Sequence, residues 1–205
     1  MDTRSNRQVI VRRHALQAES RNQCSFMSCF LLFVFCLLGA CAPIQMTRPV
    51  TKLGLVAPFE GKQRAAGYEI LYAVKLALRE RNSAEGVAGW LVELVALNAE
   101  NDEQRAEQAH VLGVDPEVTV VLVWRDAASR ERVPARYQQL GLPVFALDAP
   151  NTVIVSDASF ISRYTAISNG VAPTALALNT YTTTQAALKQ IEQSVRTHGK
   201  PTRGR

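Results

Sequence analysis

The sequence predicts an α/β protein in which a mainly parallel sheet is covered by helices on both faces, a three-layer sandwich. Three observations predict it. Short apolar runs alternate with amphipathic stretches of about ten residues or more. Each run is closed by Gly, Pro, Asn or Asp. The spacing between successive runs leaves room for the dozen or more residues that a parallel crossover needs. Four such runs give the order β-α-β-α-β-α-β, the pattern of a parallel sheet wrapped by helices.

The first strand spans residues 52–57 and is stopped by Pro58 and Gly61. A helix follows to Asn82, with Ile70, Val74, Ala77, Leu78 and Arg81 on one face and Lys75, Arg79 and Glu80 on the other, so it is amphipathic. Gly86 and Gly89 close it. Residues 91–97 form the second strand, and Asn101 or Asp102 caps a helix over 103–112. After the Asp115-Pro116 turn, residues 118–123 form a third strand, strongly β-branched and therefore central. Residues 130–140 form the third helix and 143–147 the fourth strand. Residues 152–155 are strand-like but follow too closely for a parallel crossover, so they run antiparallel or leave the sheet. Two helices complete the chain, at 159–168 and 173–197; Thr184, Leu188, Ile191 and Val195 share a face of the second. Successive crossovers of one hand give the strand order 2-1-3-4.

Charge and cysteine divide the 205 residues unevenly. The formal charge is +5, but Arg4, Arg7, Arg12, Arg13 and Arg21 cluster ahead of an apolar run, leaving the remainder only slightly basic. No basic stripe with interleaved aromatics is present, so no nucleic-acid partner is expected. All four cysteines, Cys24, Cys29, Cys36 and Cys41, lie in the first 41 residues, which excludes a disulfide or thiolate metal site beyond them. A positive segment, an apolar core from Ser25 to Ala40 and small residues at its end make a secretory signal. The core is short for a membrane span, which needs about 20 residues. Leu38-Gly39-Ala40-Cys41 resembles a bacterial lipobox. That resemblance implies cleavage before Cys41 and acylation of its thiol, by diacylglycerol with chains such as palmitate. The expected organisation is a signal at 1–40, a lipidated cysteine and tether at 41–50, one α/β lobe at 51–197 and a disordered basic tail at 198–205.

The order of these features resembles the type I periplasmic solute-binding proteins, the branched-chain amino acid branch of ABC importers. Lys52-Leu53-Gly54-Leu55-Val56-Ala57-Pro58, a glycine-containing loop and a helix ending in Arg81-Asn82 are similar to that family's opening. Residues 91–98 followed by Glu103-Gln104-Arg105-Ala106, then Gly141-Leu142-Pro143-Val144, and finally Tyr164, Pro173, Tyr181 and the helix through Ile191 are similar to its later units. The resemblance covers about three quarters of the chain and implies a flavodoxin-like sheet. Family members trap ligand between two lobes. Here the closing helices follow the fourth strand almost at once, so the expectation is a single-lobed relative tethered outside the cytoplasm.

Open α/β sheets bind ligands beyond the carboxyl ends of their strands. By the family resemblance, Ser129 stands near the helix start that holds a ligand carboxylate, or else is an N-cap. Trp124 and Arg125 replace the small residues usual there; an exposed Trp beside Arg stacks on or clamps an acidic ligand, or packs on the loop. Asp126 partners Arg125 or caps a helix. Asp148 and Asn151 end the fourth strand on the same rim, as ligand groups or turn residues. Glu60-Gly61 also lies on this rim. The expected ligand is an amino acid or small carboxylate, held weakly. A homodimer or an envelope protein docked on the rim is the rival use. The sequence has no dinucleotide fingerprint, P-loop, metalloprotease or serine-hydrolase motif, and no acidic pair after the first strand, so no cofactor or metal is expected and an enzyme on a flavodoxin-like sheet ranks third, behind solute binding and docking.

Overall fold

A computed structural model describes residues 48–125, 132–148 and 154–203. The expected signal, Cys41, most of the tether, Asp126, Ser129 and Asn151 lie outside them. Four strands, β1 (Val50–Ala57), β2 (Leu91–Asn98), β3 (Val118–Arg125) and β4 (Val144–Asp148), form one sheet in the order β2-β1-β3-β4. Every pairing is parallel. The helices are α1 (Arg64–Ser83), preceded by a 3₁₀ turn (Gly61–Gln63), α2 (Asp102–Val114), α3 (Arg132–Gln139), α4 (Ala158–Ile167) and α5 (Ala175–His198). The predicted order is the observed one.

The period-two alternation of each strand sorts its side chains onto two faces. Leu53, Leu55, Ala57, Val120, Leu122, Trp124 and Leu147 pack under α1 and α5. Val56, Val121 and Val123 pack under α2 and α3 with Leu112 and Tyr137. β3 is buried along seven of its eight residues, as a central strand covered on both faces must be. α4 lies outside this sandwich, where Phe160 and Tyr164 meet Ala73 and Leu76 of α1 and Ala177 of α5. The Tyr164 hydroxyl donates to the Glu69 carbonyl at 3.2 Å. Burial raises the pKa of this phenol and of Tyr137, whose hydroxyl donates to the Arg105 carbonyl at 2.8 Å.

Side chains close the open edges and helix ends. Asn82 mimics a neighbouring strand on the free side of β2: its amide donates to the Val92 carbonyl at 2.9 Å and accepts from the Val92 N–H at 3.0 Å. Asp157 caps α4, accepting from the N–H groups of Ser159 and Phe160. Thr174 caps α5, and the Glu69 carboxylate accepts from the N–H groups of Thr174 and Ala177 at the same end.

One expectation is corrected here. Ile154 and Val155 form no strand, and Ile154 is almost fully exposed. Thr152 and Val153 lie outside the described residues. In the described part of the tail, Arg203 reaches back to the fold. Its guanidinium donates to the carbonyls of Val118 and Gly113 at 2.8 Å and also to that of Asp115.

Candidate functional site

The carboxyl ends of the strands form a rim, and the loop after β1 is its best-defined part. Pro58 ends the strand, lacking the N–H a further ladder bond would need. The next N–H, of Phe59, donates to Asn98 Oδ1 at 2.7 Å, and Ala99 N–H donates to the Ala57 carbonyl at 3.1 Å. These bonds tie the loop to the end of β2. Gly61 then turns with φ +68°, a conformation glycine adopts without strain. At the start of α1, Gly67 lies so near the strand end that a Cβ would stand 1.9 Å from the Pro58 carbonyl oxygen.

A second loop faces the first. Asn101 caps α2 by accepting from Gln104 N–H at 2.9 Å, and Gln104 Oε1 accepts from Glu100 N–H at 2.7 Å. This is a capping box shifted by one residue. It holds the Glu100 carboxylate against the open face of Gly61. Between the loops lies a groove of about 350 Å³ lined by Pro58, Glu60, Gly61, Lys62, Gln63 and Glu100, near the small end of the range for small-molecule sites.

β3 and β4 contribute the next part of the rim. Arg125 and Asp148 are register partners on adjacent strands. Their side chains form a forked ion pair, Nε to Oδ1 at 3.2 Å and Nη2 to Oδ2 at 2.8 Å. The Asp148 carbonyl also accepts from Asn179 Nδ2 of α5 at 3.3 Å. Trp124 points to the opposite face. It is 5% exposed and belongs to the core under α1 and α5, which corrects the reading of an exposed stacking platform. Its indole N–H donates to Gln63 Oε1 at 3.3 Å, so it fixes the loop after β1 from below. Of the four residues expected at the site, Arg125 and Asp148 are brought together, Trp124 supports the loop, and Ser129 lies outside the described residues. Gln63, Asn98 and Glu100 complete the rim. Their signal in the sequence is position alone, polar residues just past strand ends.

No family model matches the sequence, and no curated protein matches it. Solved structures do. Those similar to it are substrate-binding proteins of the type I periplasmic class. The branched-chain amino acid transporter substrate-binding protein LivJ of Streptococcus pneumoniae, in complex with isoleucine, is 21% identical with a TM-score of 0.46; the likeness covers 50% of this chain and 30% of that one. An ABC transporter substrate-binding protein of Desulfitobacterium hafniense in complex with Leu is 20% identical with a TM-score of 0.43, covering 48% and 29%. Periplasmic binding protein type 1 of Bordetella pertussis is 18% identical with a TM-score of 0.43, covering 48% and 28%. The chain therefore spans about a third or less of the length of these relatives in structure.

Proposed function

We propose that this chain is a solute-binding-like lipoprotein, held outside the cytoplasm by lipid on Cys41, whose carboxyl-edge rim receives a small ligand. The observation that carries the reading is the rim itself. Two loops, each tied down by side-chain bonds, frame a groove at the strand ends of a parallel sheet, where open α/β sheets bind ligands. The side chains can orient and neutralise a guest. Among the described residues of the rim no nucleophile is paired with a base, which favours binding over catalysis.

The Arg125–Asp148 pair sets the terms of recognition. Asp148 occupies Nε and Nη2 of Arg125, so a ligand carboxylate competes with it on that edge, whereas a ligand ammonium can join Asp148, Glu60 or Glu100 without breaking the pair. A zwitterionic amino acid engages both signs. The groove has one wall, and this favours a second reading: the same rim docks an envelope protein, or a second copy, that supplies the missing wall.

Thermal unfolding of the full chain in detergent, scanned against leucine, isoleucine, glutamate and small carboxylates, separates the readings, because a ligand that binds the folded state raises the midpoint by mass action. A rise with an amino acid that is abolished by Asp148→Ala supports solute binding at the rim. No rise with any of them leaves the docking reading.

A further inference from the structure

We propose that residues 199–203 form a strap across a second, ligand-sized cavity at the amino edge of the sheet, with Arg203 as its catch. The cavity lies on the opposite edge from the rim and does not depend on the function assigned to it. It measures about 560 Å³, between the carboxyl half of α5 and the start of β3, well inside the range of small-molecule sites.

Strand lengths create the cavity. β3 begins at Val118, but β4 pairs with it only from Val121 onward. The first residues of β3 therefore have α5 above them and β1 along one side, while the β4 side is left without a pairing strand. Val120 and Ile191 make an apolar floor, and Gln190, Gln193, Ser194 and Thr197 of α5 make a polar wall.

The strap closes one side. α5 ends at Gly199, with φ +73°, a conformation that lets the chain turn back sharply. Thr202 N–H then donates to Ser194 Oγ at 2.9 Å, and the two hydroxyls lie 2.7 Å apart. Arg203 reaches past the sheet edge to the other face. Its guanidinium donates to Val118 of β3, to Gly113 and Leu112 at the end of α2, and to Asp115 beyond it. The Asp115 carbonyl also accepts from the Val118 N–H at 3.2 Å; those of Leu112 and Gly113 stand in the last turn of α2, where helical partners run out, so the catch helps satisfy that helix end. The strap outside these contacts is light: Gly199 and Lys200 are exposed.

The lining names the class of guest. Among the described residues it contains no acidic group, and the Arg203 donors are committed to carbonyls. His198 also lines it, with Nδ1 3.1 Å from the Ser194 carbonyl oxygen, so a cationic guest finds no counter-charge in this lining. A neutral guest with hydroxyl or amide groups on one side and an apolar face on the other matches the wall and the floor.

The test is methyl NMR on the full chain in detergent, with 4-hydroxy-TEMPO as a neutral paramagnetic probe of that description. In the native chain, relaxation enhancement at the Val120 and Ile191 methyls should be weak. Arg203→Gln should raise it about tenfold, the scale of a local opening rather than global unfolding, and Ser194→Ala should raise it less. Methyl signals of Ala73 and Leu76, packed against Phe160 and Tyr164, should not move. Should Arg203→Gln disturb them, Ser194→Ala, which leaves α2 capped, decides the matter. Enhancement equally strong in all three proteins means the cavity is always open. Enhancement equally weak means nothing is gated. An anionic carboxy-TEMPO that outdoes the neutral probe refutes the class of guest. Each of these three results overturns the proposal.

Discussion

Two residues show how closely this fold is set by single atoms. Gly67 is the contact point between α1 and the end of β1, and any Cβ there would overlap the Pro58 carbonyl. Backbone cannot yield as a flexible side chain does, so Gly67→Ala should push α1 off the strand and cost about 1–3 kcal/mol, read as a lower urea midpoint with unchanged slope. Thr180 is the opposite case. It is fully buried on α5, and its hydroxyl has no hydrogen-bond partner. Thr180→Val keeps the shape and removes a stranded polar group, so it should be neutral or stabilise by about 1 kcal/mol, measured in the same titration. With the third strand expected to end at residue 123, Trp124 read as a loop residue; it shares parity with Val120 and Leu122 and faces α1 and α5. The Arg125–Asp148 pair was not legible, because it depends on the register between two strands 23 residues apart. Arg203 was illegible for the same reason at greater range; nothing near it in sequence marks the carbonyls it serves.

At the scale of elements, hydrophobic period located four strands and five helices, and crossover length fixed the parallel order. Turn chemistry was less informative after β4, where four apolar or β-branched residues suggested a strand but Ile154 and Val155 pair with none. The amino edge shows how charge pins elements together. Lys52 of β1 donates to Asp115 Oδ2 at 2.9 Å and also pairs with Glu117, while Glu117 N–H donates to Asp115 Oδ1. Lys52 and that N–H hold the Asp115 carboxyl below its ordinary value of 3.8. The Arg196 and Arg81 guanidiniums likewise lower Glu192. Depressed carboxylates contribute stability that is fully present above their unfolded pKa and lost as pH falls through the folded value. The urea midpoint should therefore hold from neutrality to about pH 5 and decline below it, and Asp115→Asn should remove part of that decline. An identical acid slope in the variant would refute the assignment.

At the scale of the whole molecule, the reading of a tethered protein turns on one thiol. If Cys41 carries the anchor, Cys41→Ser should abolish metabolic labelling by a fatty acid and leave the chain unprocessed; persistent labelling would sink the lipoprotein reading. The sheet itself raises a further issue. A groove that buries most of a small ligand needs walls on two sides, and the described residues build one. Affinity from a single wall is limited because the exposed side of the ligand keeps its water and gains nothing on binding. Free leucine should therefore bind more weakly than about 1 μM, the level that corresponds to roughly −8 kcal/mol. Tight binding would require a second wall from another chain, across a rim that presents Lys62 and Arg125 beside Glu60, Glu100 and Asp148 and so offers both signs to a partner. Sedimentation of the detergent-solubilised chain with and without leucine, alongside calorimetry, distinguishes the cases. A monomer that binds leucine at submicromolar concentration would show that one wall suffices. A dimer that tightens with leucine, and dissociates when Arg125→Ala breaks the forked pair, would place the second wall at the rim.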